Sequence, residues 1–310
     1  VIAAAAGYLL NRSADRRHYR LPAMAVIAPG QINRIEILRP SGPTVIQKQA
    51  DQWRLVPGDY PVDPDKINAV LDAAGKLALS ALVSESSDYS RYDLTEKGRI
   101  TVKVFVGDEL KRQFDVGKAA PSFRHTFVKM EGDPRVYQAI DNFRRHFDQS
   151  VDNLRDKTVM RLDAQTVKGI RVAKGSQVLT FHAVKTSMQD QAQNPGQPTG
   201  WQQPDGTPVD SQAVERLLAS LGNLRCTSFV YEPSKADFVN PIYEVVLESD
   251  ASHRLAIFAS RSDEVPAYPA VSSLSPYPFY LSAAEAEAIM NALTLPPAPT
   301  SMPGKVKKAK

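Results

Sequence analysis

The sequence predicts an α+β protein made of two duplicated modules, each a mostly antiparallel sheet with packed helices. Three observations predict it. One amphipathic helix pattern occurs twice in a single register, alternating strand patterns flank each copy, and the composition is that of an ordinary folded chain. The 310 residues are 43% hydrophobic and 23% charged, enough to fill two medium cores. Proline outnumbers glycine, 23 to 16, which favours fixed turns and extended connectors.

The helix carries the repeat most clearly. Ile67, Val70, Leu71, Ala74 and Leu77 fall on one helical face. A shift of 147 residues turns them into Val214, Leu217, Leu218, Leu221 and Leu224. The tripeptide Pro-Val-Asp precedes both, at 61–63 and 208–210, and places Asp63 and Asp210 as N-caps that accept orphan backbone N–H groups. Pro64 suits a first helical position, where no hydrogen bond is lost. Gly75 and Gly222 stand near the helix ends, where a left-handed residue closes a last turn.

The flanks repeat too. The only tryptophans, Trp53 and Trp201, each precede a helix by a proline-containing turn. Alternating strands, RIEIL from Arg34 and GIRVA from Gly169, come before them, and Thr186 to Gly200 reads as a loop inserted in the second copy. Beyond the helices lie ITVKVFVG and RQFDVG in the first copy, IYEVVLES and HRLAIFAS in the second. A hairpin is expected around Gly132 and Asp133. A closing helix is expected near Asp141 and again near Ser282, where Ser282 and Glu285 have capping-box spacing. The expected organisation is a membrane anchor and basic juxtamembrane stretch at 1–22, repeats at 23–160 and 161–295, and a disordered basic tail at 296–310.

The N-terminal run VIAAAAGYLL is uncharged, and ten helical residues span about 15 Å, half a bilayer core. It is expected to be the trailing part of a membrane anchor or signal segment. The residues alone leave its orientation open.

Charge excludes nucleic acid as a partner. The net charge is +4, but Arg12, Arg16, Arg17 and Arg20 crowd one end, and Lys305, Lys307, Lys308 and Lys310 the other. The interior between them is slightly acidic, which does not suit a phosphate-neutralising surface. The single cysteine, Cys226, excludes an intramolecular disulfide, and its apolar setting reads as a small buried residue.

No catalytic, cofactor-binding or metal-ligating residue emerges. His18, His125, His146, His182 and His253 lack metal-pair spacing. No nucleophile elbow, serine–lysine pair or dinucleotide glycine fingerprint occurs. Gly107 to Gly117 is too long a gap for a phosphate loop and reads as two strands joined by a turn. Asp148, Asp152 and Asp156 have the spacing of one helical face, but Arg144, Arg145, Arg155 and Lys157 interleave with them, which suits surface ion pairs. The expected cofactor set is empty.

The Trp before a Pro-Val-Asp helix start, the SRYDL that follows, and DNLRDKTVMRLDAQTVKGIRV from Asp152 resemble the bacterial family known as domain of unknown function 4340. Leu154-Arg155-Asp156-Lys157 is its most recognisable piece, and the likeness runs over about residues 30 to 295. The resemblance implies one N-terminal membrane helix with the modules on the periplasmic side, often beside gliding-motility-type ABC transporter components. It supplies no catalytic residue. The expectation is therefore a non-enzymatic, inner-membrane-anchored accessory protein that docks on a transporter or another envelope protein. The alternative is a glycan- or peptide-binding module using Tyr268, Tyr277, Phe279 and Tyr280, with a hydrolase third.

Overall fold

The computed structural model describes residues 20–184, 200–230, 232–260 and 267–293. The expected anchor, the inserted loop and the basic tail fall outside these residues, apart from positions 20–22 and 200. Among the described residues no helix is long and apolar enough to cross a membrane.

The chain divides into two compact units, Val1–Asp156 and Lys157–Lys310. In the first, β1 (Arg34–Arg39), β2 (Gly42–Gln49), β3 (Gln52–Val56) and β4 (Tyr60–Pro61) step outward as an antiparallel meander. Helix α1 (Pro64–Gly75) then crosses to the far edge, where β5 (Leu79–Ser84) lies. A second meander, β6 (Ile100–Val106), β7 (Glu109–Ala119), β8 (His125–Met130) and β9 (Val136–Ile140), fills the gap between β1 and β5. The resulting order is β4-β3-β2-β1-β6-β7-β8-β9-β5. Two four-residue helices, α2 (Arg144–Phe147) and α3 (Val151–Leu154), close the unit.

The second unit opens with β10 (Thr158–Arg161) and continues through β11 (Gly169–Lys174), β12 (Gln177–Val184), β13 (Gly200–Gln202) and β14 (Pro208–Val209) to helix α4 (Ser211–Gly222). After it come β15 (Asn223–Arg225), β16 (Ser228–Phe229), β17 (Tyr243–Glu248), β18 (Ser252–Ile257), β19 (Ala267–Ser272), β20 (Phe279–Ser282) and α5 (Ala283–Met290). Its large sheet has the order β14-β13-β12-β11-β17-β18-β19-β20-β16, the first sheet's order strand for strand. Only the β10–β15 pair is added.

Register matches as well as order. Arg34 faces Gln47 and Gly169 faces His182, both shifted by 135. Trp53 faces Lys48 and Trp201 faces Ala183, so the two tryptophans hold one ladder position. Pro61 and Pro208 both sit on edge strands, where a missing N–H costs nothing.

The architecture is predominantly β, which corrects the α+β expectation: each unit is built on a nine-stranded antiparallel sheet and has few helices. Two causes are visible. Short segments such as Gln52–Val56 and Leu79–Ser84, which adjoin the helix pattern, are strands that widen the first sheet on its two sides. The segment expected to form one helix near Asp141 breaks into α2 and α3, each a single turn. Asp148, Asp152 and Asp156 therefore share no helical face: Asp148 caps α2, Asp152 lies in α3 and Asp156 follows it.

Each helix buries most of the predicted stripe on one sheet face, while Leu77 and Leu224 are buried just past the helix ends, Leu224 in β15. Val70, Leu71 and Ala74 pack with Ile35, Ile37, Val102, Val104 and Phe114, and Val214, Leu217 and Leu221 with Ile170, Val172, Val245, Leu247 and Leu255. Burying such side chains contributes about 1.5–3 kcal/mol each. The caps form as expected: the Asp63 carboxylate accepts from Asp65 N at 3.0 Å, and Asp210 from Gln212 N at 3.0 Å. The Ser282–Glu285 capping box is complete.

The matched glycines need a different reading. Neither Gly75 nor Gly222 has a positive φ, so neither closes a left-handed turn. Instead the irregular segment leading into each large sheet passes the helix end: Ile27 N–H donates to Gly75 O at 3.0 Å, and Leu162 N–H to Gly222 O at 3.1 Å. Ile27 and Leu162 are themselves 135 apart. A Cβ on Gly75 would fall well under 3.0 Å from Ile27 O, whereas on Gly222 the nearest atom is Leu162 O at 3.6 Å. Close backbone approach explains the first glycine.

Candidate functional site

The Leu154-Arg155-Asp156 stretch turns out to be an internal clasp of the first unit. Asp63 N–H donates to Leu154 O at 2.9 Å, Asp156 N–H donates to Pro61 O at 2.8 Å, and Val62 bridges Arg155 between them. The Arg155 side chain is buried, its guanidinium 3.8 Å above the Tyr60 ring. This motif secures the Pro-Val-Asp helix start from the unit's last residues. SRYDL packs on the other sheet face, with Leu94 buried and Tyr92 edge-on to Phe127 at 4.9 Å. Both motifs are structural.

An open groove of about 890 Å³ lies elsewhere in the first unit, at the C-terminal end of α1. One wall is the end of α1 and the residues just after it, with Asp72, Ala73, Lys76 and Leu77. The second is the β7–β8 loop, with Phe123, Arg124 and His125. The third is the reversal from β9 into α2, with Ile140, Asp141, Arg145 and His146.

Two left-handed residues shape the walls, Phe123 at φ +56° and Asp141 at φ +73°. For a bulky aromatic that conformation is strained, and such strain persists only where neighbours enforce it. Phe123 N–H donates to Ala120 O at 2.8 Å, and Ala120 N–H to His125 O at 2.9 Å. The Asp141 turn is pinned by Thr126, fully buried, whose hydroxyl donates to Asp141 O at 2.8 Å and accepts from Phe143 N–H at 3.1 Å. The result is a phenylalanine ring 76% exposed and an isoleucine, Ile140, 49% exposed on one groove.

The charges are uneven. Lys76 pairs with Asp72 at 2.8 Å. Arg124 and Arg145 are exposed and form no ion pair among the described residues. Burial, and then the charge of Arg145, hold the His146 pKa below its usual value. His125 and His146, remote in sequence, thus line one site, while His182 and His253 stand on β12 and β18. His18 lies outside the described residues.

The second unit repeats the groove at matched positions, Ser220, Asn223 and Leu224 for Ala73, Lys76 and Leu77, but at about 340 Å³. There the eight-residue α5 packs against the helix where the first unit has only the one-turn α2. Its described lining has Glu285, Ala288 and Ile289 of α5 where the first unit has α2.

The remaining sequence candidates are accounted for by packing. Phe279 is in the second core, Tyr268 packs against it, and Tyr277 meets Phe229 edge-on at 6.3 Å. Tyr280 stands half-buried on β20. Cys226 is buried. Among the described residues no group of three or more histidine, cysteine or carboxylate side chains is placed to hold a metal ion. Gly107 forms the turn between β6 and β7 at φ +60°. No sequence signal announced the groove, because Phe123 sits in a short loop with no periodicity to show whether it is covered.

The family model described as Domain of unknown function (DUF4340) matches residues 53–241, from Trp53 through both long helices to just before β17. The chain belongs to this family. The DUF4340 match lies inside the expected 30–295 and is shorter at both ends. It includes the α1 wall of the groove, the Phe123 loop, Arg145, His146 and the Arg155 clasp. No curated protein and no solved structure matches the chain.

Proposed function

We propose that this DUF4340 protein is a membrane-tethered accessory protein that works outside the cytoplasmic membrane by holding a protein partner, with no chemistry of its own. The partner in this reading is a component of an ABC-type transport system or of a related gliding-motility-like envelope system. The observation that carries the binding role is the first unit's groove, where Phe123 and Ile140 are exposed beside Arg124 and Arg145. Exposed apolar rings bordered by cations are a common composition for recognition surfaces. Support for the tether is the uncharged run at residues 1–10 followed by four arginines, and the transport link is carried by the sequence resemblance alone.

The test is cross-linking in intact cells with a tagged full chain, followed by identification of the captured membrane proteins. Recovery of a transporter subunit is the expected result. Recovery of cytosolic proteins alone, or accessibility of an engineered surface cysteine to reagents only from the cytoplasmic side, overturns the reading.

A further inference from the structure

We propose that the groove at the end of α1 in the first unit binds an extended acidic peptide segment carrying an apolar anchor side chain. The proposal rests on the binding role above and names the chemistry of the partner. Charge complementarity selects an acidic segment. Arg124 and Arg145 line the groove from two different walls and neither forms an ion pair among the described residues, whereas Lys76 pairs with Asp72; with Asp141 also on the wall, the lining carries three cationic side chains against two carboxylates. Two planar guanidinium forks on different walls suit carboxylates spaced along one chain.

Shape and apolar exposure select the anchor. Phe123 is 76% exposed and Ile140 is 49% exposed, and both line the groove. The backbone at Phe123 adopts a left-handed conformation that holds the ring out of the core, since the loop's hydrogen bonds to Ala120 and His125 close the turn beneath it. A volume of about 890 Å³ takes several peptide residues. A concave site with three walls fits a chain lying in it better than a flat lipid surface lying over it.

The internal copy supplies a comparison. At the matched place the second unit presents Ser220 and Asn223, a smaller space, and Glu285 beside Arg225. Among the described residues the wider groove is that of the first unit.

The experiment uses the full chain and a fluorescein-labelled decapeptide of alternating glutamate and leucine with one central phenylalanine, followed by anisotropy. Saturable binding is expected, weakening as salt rises. The double variant Arg124→Glu/Arg145→Glu and the single variant Phe123→Ser should each weaken it about tenfold or more. Lys174→Glu, a charge reversal on the second unit, should leave it unchanged. Should Phe123→Ser fail to fold, the arginine pair decides, since both side chains are exposed. Absence of saturable binding, equal binding by the arginine double variant, or capture of phosphatidylglycerol vesicles in place of the peptide overturns the proposal. In the cellular cross-linking experiment, a transporter subunit captured equally by wild type and the arginine double variant removes the groove while leaving the accessory role standing. No capture by wild type removes the role, and the peptide titration still decides the groove.

Discussion

Alanine at the two matched glycines should move stability in opposite directions. At Gly222 an added Cβ meets nothing nearer than Leu162 O at 3.6 Å, ordinary contact, and the backbone is not left-handed. Alanine there should stabilise by about 0.4–1 kcal/mol, through better helix propensity and a less flexible unfolded chain. At Gly75 the same Cβ would sit well under 3.0 Å from Ile27 O. The segment cannot yield freely: Ile27 N–H is bonded to Gly75 O, Arg112 bonds both the Ala74 and Gly75 carbonyls and also Ala25 O, and Leu21, Met24 and Ile27 pack on the first core. Forcing them apart costs about 1–3 kcal/mol, as other overpacking does, so Gly75→Ala should lose about 1–2 kcal/mol net. The two tryptophans allow each unit to be read separately. Urea titration of Gly75→Ala in a Trp201→Phe background follows Trp53 alone, and Gly222→Ala in a Trp53→Phe background follows Trp201. A Gly75→Ala protein as stable as its parent, or a Gly222→Ala protein losing more than about 1 kcal/mol, refutes close approach as the reason for the first glycine.

Tyr243→Phe should raise stability by about 1 kcal/mol, because its buried hydroxyl has no hydrogen-bond partner among the described residues and Ile100 holds the matched position in the first unit. A fall in the urea midpoint would mean that the hydroxyl is satisfied. Leu217→Ala should cost about 2–5 kcal/mol, since Leu217 is fully buried between α4 and its sheet, and a Trp201-monitored titration reads it. His146, whose folded pKa is depressed by burial and by Arg145, binds fewer protons folded than unfolded. Its contribution is complete above the unfolded value near 6.5 and is lost as pH falls from there through the lower folded value. His146→Gln should therefore flatten the decline in stability below about pH 6.5, and an unchanged decline in acid titrations removes His146 as its source.

The helix stripes, the aspartate caps and the shared ladder place of the tryptophans were legible in sequence because each rests on local spacing: a 3.6-residue period, a cap before it and a fixed offset between copies. What the sequence obscured follows from the same locality. Leu79–Ser84 became the outer strand of the first sheet because α1 delivers it to a vacant edge beside β9, a long-range fact with no trace in its own alternation. The closing segment of the first unit carries helix-forming residues yet makes single turns, since Thr126 fixes Asp141 and Phe143 before α2, and Pro61 and Asp63 bind the chain after α3. The groove is the consequence of that interruption. In the second unit α5 runs for eight residues and fills the corresponding place, so the copies diverge most where one helix fails to continue. Duplication supplied a second framework, and the early end of a helix in one copy left an open groove. The described halves differ most where α2 stops after one turn, while the recognisable Arg155 motif clasps the Pro-Val-Asp helix start of the first unit.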